Sequence, residues 1–75
     1  MTKEYDIMFT CEMPYTCNGR TTQCTTHVVV WYGPLAEVQQ FMDDGTAVRK
    51  IAEFITDTHT ARNVRDIRIQ PHVTY

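Results

Sequence analysis

Residues 17–20 read Cys17-Asn18-Gly19-Arg20, and they sit between two β-rich runs, residues 5–13 and residues 22–32. Asn-Gly is the strongest short hairpin signal, because both central positions of a type I′ turn need positive φ. A two-residue loop pairs Cys17 with Arg20. Counting back from the turn, Met13 faces Cys24, Cys11 faces Thr26, Phe9 faces Val28, Ile7 faces Val30 and Tyr5 faces Tyr32. The apolar odd positions of the first run thereby meet apolar even positions of the second on one side of the ribbon. Pro14 cannot donate a ladder bond, so a bulge is expected near the hairpin tip.

Beyond the hairpin, Gly33-Pro34 closes the second strand, and Pro34 suits the first turn of a helix. Leu35, Val38, Phe41 and Met42 recur at helical spacing, with Glu37, Gln39, Gln40 and Asp43 opposite. Gly45 reads as the residue after a helix C-terminus and Thr46 as an N-cap. A second helix is expected over about Ala47–Thr58, burying Val48, Ile51, Ala52, Ile55 and Phe54, with Arg49 and Glu53 paired on its outer side. A polar loop, residues 59–63, leads back to period two. Ile67, Ile69, Pro71, Val73 and Tyr75 alternate with Asp66, Arg68, Gln70, His72 and Thr74, which predicts a third strand, at a sheet edge because of Pro71.

The fold class is therefore α+β: a small three-stranded, mainly antiparallel sheet in the order β-β-α(α)-β, with helices packed on one face. A right-handed crossover favours strand three beside strand one; the alternative lays it parallel to strand two. Seventy-five residues make one domain, residues 1–75, whose thin core hides only roughly 60% of the unfolded surface. Hydrophobic content of 43% is that of a folded chain. A net charge of −2 gives no electrostatic reason for a nucleic-acid partner. The amino terminus lacks the apolar stretch of a signal peptide, and no run approaches the ~20 residues of a membrane span. With three cysteines, an odd number, reduced thiols and a cytoplasmic location are expected.

Cys11, Cys17, Cys24 and His27 invite a zinc reading, but their spacing lacks a C-x2-C knuckle. The hairpin count also places the three thiols on one side of the ribbon and His27, opposite Thr10, on the other. No metal and no other cofactor are expected. A Cys11–Cys24 disulfide would have to join a diagonal pair, near the upper limit of disulfide geometry. Cys17 at the tip has Arg20 beside it but no histidine base, and Gln23 stands where a C-x5-R phosphatase loop would carry arginine. The three glycines, at 19, 33 and 45, are too scattered for a phosphate loop. So small a core leaves little room for an enzyme's pocket, and no catalytic residue is assigned.

The sheet face turned away from the helices carries the functional expectation. Strand one gives it Asp6, Met8, Thr10 and Glu12, strand two Thr25, His27, Val29 and Trp31, and strand three Asp66, Arg68, Gln70 and His72. Trp31, Val29 and Met8 would form an apolar centre, with His27 and Arg68 at its rim, in the manner of an interface hot spot. The second strand, Val28-Val29-Val30-Trp31-Tyr32, would also be a free apolar edge, open to a partner's strand or to a homodimer. The expected partner is thus a protein. The alternative is a single-stranded nucleic-acid binder, with Trp31 and His27 as stacking platforms and Arg65 and Arg68 as phosphate contacts.

In its length and lack of catalytic motifs the chain resembles the small one-domain proteins that phages and other mobile elements encode. That resemblance implies a viral or mobile-element inhibitor, acting by occupying a surface of a host enzyme or defence complex.

Overall fold

The computed structural model describes residues 3–73. Its elements are β1 (Glu4–Cys17), β2 (Arg20–Pro34), α1 (Leu35–Asp43), α2 (Thr46–Thr58) and β3 (Arg62–Pro71). The sheet order is β2-β1-β3, antiparallel at both seams, so the parallel arrangement of the third strand does not occur. The expected extension of strand three to Thr74 and Tyr75 lies outside the described residues.

Asn18 and Gly19 take φ of 54° and 77°, the left-handed values a type I′ turn requires. From Cys17–Arg20 the register runs without interruption to Met8–Val29, so every counted pair over this stretch is formed. Pro14 pairs with Gln23 inside that unbroken run, against the expected bulge. The turn explains why. Cys17–Arg20 closes as a hydrogen-bonded pair, and hydrogen-bonded pairs then alternate, so position 14 turns its nitrogen away from β2. The pairing of β3 with β1 ends at Glu12–Arg62, so no strand stands where a Pro14 N–H would point.

The register slips between Met8 and Ile7, where β2 carries one extra residue, Val30. Ile7 now faces Trp31, Asp6 faces Tyr32 and Tyr5 faces Gly33, which replaces the counted pairs Ile7–Val30 and Tyr5–Tyr32. A single inserted residue turns every later side chain to the opposite face. Trp31, expected on the open face, therefore lies on the helix side with Ile7, and Tyr32 takes its place on the open face.

β3 departs from period two as well. It pairs Met8 with Arg68, Thr10 with Arg65 and Glu12 with Arg62, shifting by one residue at each step. Each shift inserts a residue with left-handed backbone, Asp66 at φ 56° and Asn63 at φ 57°. Asn and Asp tolerate that region best among residues with side chains. The segment Arg62-Asn63-Val64-Arg65-Asp66-Ile67-Arg68 is thus a repeated triplet of arginine, left-handed Asx and aliphatic residue. Three-residue spacing, with one bulge per triplet, brings all three arginines to the open face. Asp66, expected on that face by strict alternation, is instead a bulge residue, and the strand begins at Arg62 inside the segment expected as loop.

Two apolar clusters lie between sheet and helices. Phe9, Cys11, Ile51 and Ala61 form one, and Ile7, Val38 and Ala47 the other, with Val30 packed against both. Phe9 meets Phe54 edge to face at 5.6 Å. Losing a ring as buried as that of Phe9 costs about 3–5 kcal/mol, a large share of what so small a domain has. Along α2, Ala47, Ile51, Phe54 and Ile55 turn inward, whereas Val48 is 58% exposed and Ala52 is also exposed, against expectation. Gly45 does follow α1 with φ 84°, but the cap of α2 is not the Thr46 side chain. The Thr46 N–H instead donates to the Asp44 carboxylate at 2.9 Å, and the Asp44 pKa is held below its ordinary value by hydrogen bonding from the Thr46 side chain first and from that N–H second. Among the described residues the expected Arg49–Glu53 ion pair does not form, and no helix is long and apolar enough to cross a membrane.

Candidate protein-binding surface

On the open face, β1 supplies a row of polar side chains that the flanking strands satisfy. Thr10 is 4% exposed, and its Oγ1 is bonded on both sides, to His27 Nδ1 at 3.0 Å and by donation from Arg68 Nη1 at 3.1 Å. Arg68 also donates to the Asp66 carbonyl at 2.7 Å. One triplet earlier, Arg65 donates to the Asn63 carbonyl at 2.9 Å and grips both oxygens of Glu12. The Arg65 hydrogen bonds hold the Glu12 pKa below its ordinary value, and Glu12 raises that of Arg65 in return. At the other end, His72 Nδ1 lies 2.7 Å from Asp6 Oδ1, and the Tyr32 ring stacks on His72 with centroids 4.9 Å apart.

Met8, Val29, His27 and Arg68 do share this face, but Trp31 does not join them. The face is a hydrogen-bonded polar floor with a shallow depression of about 620 Å³ lined by Thr10, Thr25, His27, Arg65 and Arg68. The apolar centre expected there is missing because its largest member was moved by the Val30 bulge. Trp31 and His27 point to opposite sides, so they cannot form one stacking platform. Likewise Cys11 and Cys24 lie on the helix side and His27 on the open side, so the four zinc candidates do not converge; all three cysteines are free thiols. Burial pushes the Cys11 thiol pKa up, with a smaller push from the Glu12 charge.

Trp31 occupies a shoulder where β2 meets both helices. Its ring packs on Phe41 at 5.7 Å, Lys50 Nζ lies 4.6 Å from the ring centroid, and its Nε1 donates to Glu37 Oε1 at 3.3 Å. Gly33 leaves room for this contact, since a Cβ there would stand 2.8 Å from Glu37 Oε2 and would push the carboxylate end of that flexible side chain aside. Even so, Trp31 remains 38% exposed.

The β2 edge beside it is the least protected part of the sheet. Among the described residues β2 pairs with β1 alone, and Val29 and Tyr32 are 46% and 55% exposed. Val29, Val30, Trp31 and Tyr32 line one groove of about 540 Å³. A second groove, of about 340 Å³, runs between Val28, Val30 and the Lys50, Glu53, Phe54 and Asp57 side of α2. Since Val28 pairs with Phe9 in the hydrogen-bonded alternation set by the turn, the N–H and C=O of Val29 point out to the free edge. Sequence reasoning missed Lys50, Glu53 and Asp57 as parts of this surface. Their spacing of three and four residues along α2 places them on one side of that helix, a signal obscured by pairing Glu53 with Arg49 on the outer side instead. Comparison with protein-family models, with curated proteins and with solved structures finds no match for this chain.

Proposed function

We propose that this chain is a protein-binding module that works by adding a partner's extended strand to the β2 edge. The observation that carries the reading is that edge: outward-pointing backbone groups at Val29, an apolar run without charge from Val28 to Tyr32, and a groove on either side. Main-chain bonds at an edge supply affinity, and flanking grooves for alternate side chains supply selectivity. Trp31, beside the edge and half open, adds an aromatic anchor of the kind that dominates interface energetics. The module acts by occupying a surface of its partner, and the viral-inhibitor form of the proposal makes that surface part of a host enzyme or defence complex.

Val29→Pro tests this directly. Proline is tolerated on an edge strand when the lost N–H faces solvent, so the fold should survive and only the edge should be blocked. Against a partner purified from the native host, the variant should bind at least about tenfold more weakly than the unmodified chain. A partner bound equally well by both would place the working surface elsewhere.

A further inference from the structure

The two edges of the sheet are unlike. β3 is blunted by two bulges, by Arg62, Arg65 and Arg68, and by Pro71, each a device that discourages strand addition. β2 carries none of these from Thr21 to Val29, Arg20 standing only at its turn end, and its one bulge falls at Val30. A chain with one open and one blunted edge pairs once and then stops, which is the condition for a closed two-fold dimer rather than a filament.

The charges beside the open edge fit such a pairing. α2 runs antiparallel to β2: Lys50 lies against Trp31, while Phe54 packs near Phe9, the partner of Val28, and Asp57 lines the groove at Val28. Two copies joined antiparallel along β2 bring their α2 helices side by side and antiparallel, on the same face of a six-stranded sheet. Lys50 of each copy then faces the acidic end of the other helix, Glu53 and Asp57. The row is self-complementary only in this orientation. Paired residues in antiparallel strands share a face, so the axis must pass midway between one residue and its own copy. His27 and Val29 both turn N–H and C=O outward, and Val29 is the one that lies in both flanking grooves and sets Lys50 against the other copy's Glu53 and Asp57. Val28 then lies across from the second copy's Val30 over the apolar groove, and the Val30 bulge ends the ladder on each side.

We infer that in the free chain the occupant of the β2 edge is a second copy, joined at Val29 and flanked by reciprocal Lys50 to Glu53/Asp57 contacts, which a partner's strand would displace. This rests on the β2 edge being the working surface and names what fills it. Sedimentation equilibrium of the full chain is expected to show a dimer. Val29→Pro and Lys50→Glu should each weaken it roughly tenfold or more, and Lys50→Glu combined with Asp57→Lys should recover most of the loss. Thermal melts of each variant establish that the fold is kept. A chain that stays monomeric with a dissociation constant weaker than about 1 mM overturns the second-copy inference, yet leaves the edge itself open to the heterologous test above. A dimer indifferent to Val29→Pro overturns it too, by showing that self-association uses another surface. A charge-reversed pair that fails to recover overturns the placement of the axis.

Discussion

Asn63 and Asp66 stand one triplet apart in β3 and share the same left-handed backbone, φ 57° and 56°. Each presents its carbonyl to the arginine two residues later, at 2.9 Å for Arg65 and 2.7 Å for Arg68. The bulges therefore do two things at once: they turn each arginine to the open face and they anchor its guanidinium there.

That relationship predicts a specific mutational asymmetry. Asp66→Gly should leave stability nearly unchanged, since glycine enters the left-handed region freely. Asp66→Val should cost about 1–2 kcal/mol, because a β-branched side chain is poorly accommodated there. Urea midpoints for the two variants decide it. Equal midpoints would mean that the strand pairs without a bulge at this position.

The Glu12–Arg65 grip gives stability a pH dependence of known sign. The folded-state pKa of Glu12 is depressed, so its contribution is fully present above the pKa of an unfolded glutamate. It is lost as the pH falls through the lower, folded value. Both side chains are partly open to solvent, so screening keeps the effect small. Stability measured from neutral pH down through the acid range should fall less steeply in Arg65→Gln than in the unmodified chain. Superimposable profiles would show that the pair contributes nothing in solution.

The three thiols should separate by accessibility. Cys17 is exposed at the hairpin tip, Cys24 is half-buried, and Cys11 is buried with a raised pKa. Alkylation followed by mass spectrometry under native conditions should label Cys17 first and Cys24 next. Cys11 should react only when the domain unfolds, because the thiolate is the nucleophile and burial disfavours it. Labelling of Cys11 at the rate of Cys17 would contradict the core packing around Phe9.

The hairpin, the sheet order and the helix positions were legible because independent signals agreed: Asn18-Gly19 set the turn, and alternation set the buried side. Both signals fail at the same places. In Val28-Val29-Val30-Trp31-Tyr32 every residue is apolar, so alternation says nothing about which face each takes. Counting from the turn carries the parity forward only until a residue is inserted, and Val30 is inserted. In β3 the clue is in the residue types, as Asn63 and Asp66 are those that favour left-handed backbone, but strict period two passes over them. The candidate site inherits the first of these: Met8, Val29, His27 and Arg68 share the open face as the alternation predicts, and Trp31 lies on the other side.

That correction reverses one expectation about stability. A Trp31 on the open face would lose no core contact when truncated, and Trp31→Ala would leave the isolated domain as stable as before. The side chain instead packs on Phe41, lies beneath Lys50 and donates to Glu37. Removing it strips the shoulder where β2, α1 and α2 meet. Full burial of such a ring is worth about 3–5 kcal/mol, and its partial exposure reduces the expected loss to roughly 2 kcal/mol. Gly33→Ala should cost much less with the indole in place, since the added methyl meets only the flexible carboxylate end of Glu37, which can swing aside. Denaturant melts followed by the fluorescence of this single tryptophan report Gly33→Ala, and circular dichroism reports Trp31→Ala. An unchanged midpoint in Trp31→Ala would return Trp31 to the open face and remove the bulge at Val30 with it.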